Sequence, residues 1–107
     1  MKIPKKIKIL GVTYKVKFVD NLLDDKDAKE CLSVEDKKKN ALVGYCSPNK
    51  LTIFLSKNTA KQNLASVFIH EVLEAINSQL ALNLCHADLD RLETALHQVL
   101  TENRLLE

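Results

Sequence analysis

A chain of 107 residues has room for one domain and one hydrophobic core. Apolar residues at 46% and charged residues at 28% exclude a disordered chain, and two glycines and two prolines leave little material for long structureless segments. The formal net charge of +2 is too small to imply a nucleic-acid partner, and without a run of about 18 apolar residues no membrane span is expected.

In chain order, "KKIKIL" and "VTYKVKFV" alternate lysine with apolar residues, which predicts two short strands, each with one buried and one wet face. Gly11 separates them, giving two short strands or a bent hairpin. Six lysines (Lys2, Lys5, Lys6, Lys8, Lys15 and Lys17) and no acid precede residue 20. This is read as a solvated strand face. Lys5, Lys6, Lys8, Lys15 and Lys17 also define a nucleic-acid-binding reading, but it is not the expected one, because no exposed aromatics are interleaved with them. Tyr14, Phe18, Tyr45, Phe54 and Phe68 are assigned to the core.

Residues 20–40 are charge-rich and weakly patterned, a long loop with one helical turn near Lys26 to Leu32 and a solvated turn at Lys37–Lys39. "ALVGYC" and "LTIFL" flank the turn sequence "SPNK" and predict an antiparallel strand pair. Thr59 with Gln62 matches a capping box. From Ala60 on, Leu64, Val67, Phe68, Val72, Ala75, Ile76 and Leu80 recur at helical spacing. A second helix is predicted from about Ala87 to Asn103, with Leu89, Leu92, Leu96, Val99 and Leu100 as its buried stripe and Asp88 and Asp90 near its start. Strands first and long helices after predict an α+β domain spanning 1–107: a small antiparallel sheet of about four strands packed on two carboxy-terminal helices.

Cys31, Cys46 and Cys85 are an odd number without CxxC spacing, and "MKIPKKIKILG" is no signal peptide. Reduced thiols in a cytoplasm are expected. Cys31 and Cys46 are read as structural, and Cys85 as a small buried residue before it is read as a ligand.

The chemistry concentrates in "VFIHEVLEAIN", residues 67–77. His70 and Glu74, four apart, share a helical face, with Glu71 beside them. In HExxH sites two imidazoles on one helix bind zinc and the intervening Glu is the general base for the attacking water. Here Glu74 stands where the second histidine would be. Zinc accepts a carboxylate as readily, and a third ligand that is a histidine restores a His₂Glu set. His86 is the first candidate. At about 1.5 Å rise per residue it reaches Glu74 only if the helix ends early, near Ser78, and the loop folds back. The alternatives on the second helix are Asp90, Glu93 and His97, which share a face with His86. The bland reading is a polar surface with i,i+4 pairing. Against it, "SVFI" and "VL" around His70 are strongly apolar.

The stretch from "LTIFL" to "ENRLLE" resembles the carboxy-terminal half of small phage and prophage zincin-like proteins, a minimal metallopeptidase-like fold. The match is carried by His70, Glu71 and Glu74 as an HExxE variant, by "LNLCH" (82–86) and by "ENRLL". The opening "IKILGVTYKV" resembles the first strands of the same proteins. The resemblance implies His70, Glu74 and His86 as ligands of Zn²⁺, Glu71 as catalytic base, a protein or peptide substrate in the bacterial cytoplasm, and the 51–55 strand as the edge that holds extended peptide. The carboxylate at 74 shifts metal preference toward harder ions such as Mn²⁺ and leaves catalysis open. The alternative is an inactive zincin-like accessory protein that binds a host or phage protein.

Overall fold

The structure is a computed structural model describing residues 2–23, 25–31 and 43–106. It contains β1 (Lys6–Ile9), β2 (Val12–Val19), α1 (Lys26–Cys31), β3 (Gly44–Ser47), β4 (Thr52–Ser56), α2 (Lys61–Leu80) and α3 (His86–Glu102). This is the expected α+β arrangement, with one helical turn's worth of α1 inside the long connection. The Lys37–Lys39 run lies outside the described residues.

β1 and β2 form the expected hairpin. Leu10 (φ 52) and Gly11 (φ 83) are both left-handed, the backbone a two-residue hairpin turn of matching twist requires. β3 and β4 pair antiparallel, also as expected. The sheet as a whole is mixed rather than antiparallel. Its order is β1-β2-β4-β3, and β2 and β4 run parallel, Lys15 beside Thr52 through Val19 beside Ser56. β4 carries no lysine, and all five of its residues are buried. A strand buried on both faces belongs in the middle of a sheet. The segment 51–55 is therefore not the edge that could hold a peptide; β3 is the edge on that side.

α2 covers one face of the sheet. Phe68 and Ala75, with Val67, Val72 and Ile76, pack on Ile9, Tyr14, Val16, Cys46, Ile53 and Leu55. A smaller cluster of Val19, Leu22, Ala28 and Phe54 lies under α1 on the other face. Phe18 departs from its core assignment at 37% exposure, beyond the reach of either cluster. The capping box also does not form. The turn after β4 carries on through Asn58 and Thr59, held by bonds to Ser56, so the helix caps one residue later, at Ala60, without a side-chain bond. The Thr59 hydroxyl is buried with no hydrogen-bond partner among the described residues.

The largest departure concerns α3. Leu89 is buried, but Leu92, Leu96 and Val99 are 47%, 40% and 52% exposed. Three of the five residues of the predicted apolar stripe face out, while Leu89 is buried and Leu100 half-buried. The polar stripe His86-Asp90-Glu93 faces α2 instead, because α2 offers it donors and acceptors in matching step. Among the described residues no helix is long and apolar enough to cross a membrane.

Candidate metal centre

α2 and α3 form an antiparallel hairpin linked by a ladder of polar contacts. The Ser66 hydroxyl donates to Glu93 Oε2 at 2.7 Å. One turn further along α2, His70 Nδ1 lies 3.3 Å from Asp90 Oδ1. A turn beyond that, Glu74 Oε1 lies 3.9 Å from His86 Nδ1. At the closed end the Asn77 side chain clamps the loop, accepting from Leu84 N–H at 3.0 Å and donating to Leu84 C=O at 3.3 Å. Each step up α2 meets an equal step down α3.

The loop accounts for the reach of His86. α2 runs to Leu80, two residues past the end that reach was expected to require. The chain then reverses at once. Ala81 (φ 49) and Asn83 (φ 57) are left-handed, and Ala81 and Leu82 N–H close onto Ser78 and Asn77 carbonyls at 3.3 and 3.1 Å. This is a helix C-terminus of the left-handed type, built without glycine. With Asn77 holding Leu84, His86 begins α3 beside Glu74.

Four side chains converge. His70 Nε2 is 3.5 Å from Glu74 Oε1, and His86 Nε2 is 3.4 Å from Asp90 Oδ2. The two imidazoles meet edge to face, with centroids 5.0 Å apart. One donor atom each from His70, His86 and Asp90 lies within 4.8 Å of the others, a grouping able to hold a metal ion. Ligand atoms about 2.0–2.2 Å from one tetrahedral ion stand roughly 3.4 Å apart, so the donor separations suit a cation. The sequence-derived residues His70, Glu74 and His86 are thus brought together, and Asp90, weighed only as an alternative to His86, joins them rather than replacing it. Glu93 is engaged by Ser66, one turn away. His97 lies outside the group.

Each imidazole faces both carboxylates through different nitrogens. His70 turns Nε2 to Glu74 and Nδ1 to Asp90; His86 turns Nδ1 to Glu74 and Nε2 to Asp90. One ion can use one nitrogen of each ring. The donor atoms that all lie within 4.8 Å of one another belong to His70, His86 and Asp90; Glu74 faces the opposite nitrogen of each ring and lies outside that grouping. The hydrogen bond to Glu74 raises the His70 pKa above 6.5 against partial burial, with the charges of Glu71, Glu74 and Asp90 adding to the rise.

Glu71 turns the other way. It is 6% exposed and packs on β3 at Gly44, where a Cβ would lie 2.8 Å from Glu71 Oε2 and 2.8 Å from Val67 Cγ1. Only glycine leaves that carboxylate its place. Beside it, burial and the charges of Glu71 and Glu74 push the Cys46 thiol up to about 12, so Cys46 stays a neutral core thiol. Cys85 is exposed, contrary to its expected burial, because it sits at the start of α3 ahead of the first buried position, Leu89.

Comparison of the chain with family models, curated proteins and solved structures finds no match.

Proposed function

We propose that the protein is a small zincin-like metalloprotein in which His70, His86 and Asp90 hold a divalent cation beside Glu74, with Glu71 as the base of a peptide hydrolase. The observation that carries this reading is the convergence of two imidazoles and two carboxylates across one helical hairpin, at gaps of 3.3 to 3.9 Å. Two carboxylates balance the charge of a divalent ion. When bound, such an ion supplies Lewis acidity toward a carbonyl and toward water. The resemblance to HExxE phage proteins supports His70, His86 and Glu71 in these roles and names Glu74 as the carboxylate ligand; Asp90 comes from the geometry alone.

In this reading β3 is the substrate strand. Its one strand neighbour in the described sheet is β4, so an extended peptide can add along its other side through main-chain hydrogen bonds. Glu71 lies buried against Gly44, turned away from the imidazoles, so service as the base would require its side chain to swing toward the hairpin.

The donor count discriminates between roles. Three protein ligands, two imidazoles and one carboxylate, leave the open fourth position that catalysis needs, whereas a second carboxylate would close the site as in structural centres. The second reading, an inactive scaffold that binds another protein, is favoured by the outward apolar stripe of Leu92, Leu96 and Val99.

The test is metal content by mass spectrometry after dialysis, for the parent and for His70→Ala. A stoichiometric divalent ion in the parent and its loss in the variant is expected. Equal zinc in both rejects the assignment. Peptide hydrolysis by the loaded parent, lost in Glu71→Gln with metal retained, separates enzyme from scaffold.

A further inference from the structure

The second feature of the molecule that invites a ligand lies across the sheet from the metal centre. Ile7, Ile9, Tyr14 and Val16 point to the α2 side, so alternation sends Lys6, Lys8, Lys15 and Lys17 to the opposite face. The hairpin register then seats Lys6 directly opposite Lys15. Like charges in that relation oppose strand pairing, and an ordinary solvated face gains nothing from them. Lys5, Lys6, Lys15, Lys17 and Lys50 border an open cleft of about 670 Å³ whose lining, among the described residues, contains one acid, Asp27. That acid is engaged: Lys17 Nζ donates to Asp27 Oδ2 at 2.9 Å and lies 3.7 Å from Asp25. Lys50 pairs with Glu30 at 3.0 Å. Lys5, Lys6 and Lys15 are exposed and have no ion pair among the described residues. The net +2 of the chain conceals this local excess.

We propose that this cleft binds the sugar-phosphate backbone of a nucleic acid strand, without regard to base sequence. Two lysine rows, β1 and β2, run side by side, roughly 4.8 Å apart, with successive ammonium groups in each row roughly 6.6 Å apart. Such a repeat suits a polymer carrying one charge per unit better than a single phosphate. The concave shape suits a strand better than a flat bilayer. Phe54, the aromatic in the lining, is 1% exposed, so no ring is offered for stacking and bases are not read. Lys17 and Lys50, fixed by their acids, shape the cleft walls, and Lys5, Lys6 and Lys15 supply the unspent charge.

The experiment is fluorescence anisotropy with a labelled single-stranded oligonucleotide of about 16 nucleotides, titrated from about 50 mM to about 200 mM salt. Binding should weaken steeply with salt and be equal for oligonucleotides of different base sequence. The triple variant K5Q/K6Q/K15Q should lower the slope of log affinity against log salt by about two, at roughly 0.7 per neutralised phosphate. A control with the same charge change elsewhere, K29Q/K57Q/K61Q, should retain the parent slope. Far-ultraviolet circular dichroism establishes that both variants fold. The proposal fails if the parent does not bind at low salt, if the two triple variants behave alike, or if polyglutamate or anionic vesicles displace the oligonucleotide at equal charge concentration. Metal content plays no part in this readout, so its outcome is independent of the metal centre.

Discussion

Thermal unfolding with and without zinc puts the candidate metal centre at risk most directly. A ligand at 100 times its Kd that binds only the folded state adds about 2.7 kcal/mol of stability. For a chain of 107 residues each kcal/mol moves Tm by roughly 4–8 °C, so the parent should gain about 10–20 °C. His70 is the residue to remove, because it alone on α2 contacts both carboxylates through its two nitrogens, at 3.5 and 3.3 Å. Its loss leaves one imidazole and two carboxylates that repel one another. In His70→Ala the zinc-induced gain, measured against the same variant without metal, should fall below about a third of the parent's. His97→Ala should keep the full gain, since His97 stands outside the group. Differential scanning fluorimetry at fixed protein concentration reads both. A full zinc shift in His70→Ala, or its loss in His97→Ala, would refute the assignment.

Three further outcomes follow from the same geometry. Asn77→Ala removes both bonds to Leu84 and should raise the metal Kd about tenfold by isothermal titration, at about 1 kcal/mol net per bond partly recovered by water, with helix content unchanged; unchanged affinity would mean that the loop is held without the clamp. Gly44→Ala should lower urea-unfolding stability by about 1–3 kcal/mol, since its Cβ would meet Glu71 and Val67 at 2.8 Å; a neutral result would contradict the placement of Glu71 on β3. The third concerns pH. The raised His70 pKa contributes stability that is fully present below 6.5 and is lost as pH rises through the folded value. Metal-free protein should therefore lose stability as pH climbs above 6.5, while the zinc-induced gain grows as protons cease to compete for the ligands. Urea midpoints between about pH 5 and 8 that slope the other way would exclude this pairing.

The elements that could be read from the residues are those in which one pattern has one interpretation. Lysine alternation gave β1 and β2, and the long run at helical spacing gave α2, because each has a single apolar face to bury. β4 was visible as a strand but misplaced at an edge. Its lack of lysine was the available signal for a central position, since a strand covered on both faces cannot carry charge. At the site, spacing alone joined His70 to Glu74. The link to His86 depended on Ala81 and Asn83 adopting left-handed backbone, which no glycine announced. α3 is the instructive failure. It has two stripes of helical period, and an apolar stripe is ordinarily the buried one. The choice belongs to the partner helix. Ser66, His70, Glu74 and Asn77 present polar atoms at intervals that match Glu93, Asp90, His86 and Leu84, and this shared spacing was present in the chain before any fold was known. The helix pair brings two imidazoles and two carboxylates together along its partly exposed seam, with Leu89 buried and Leu92, Leu96 and Val99 outside. Protons alone compensate those carboxylates only in part and only below the His70 pKa. A divalent ion would compensate them across the whole neutral range, which is why the inverted packing of α3 supports a cation in the hairpin more strongly than the HExxE spacing does by itself.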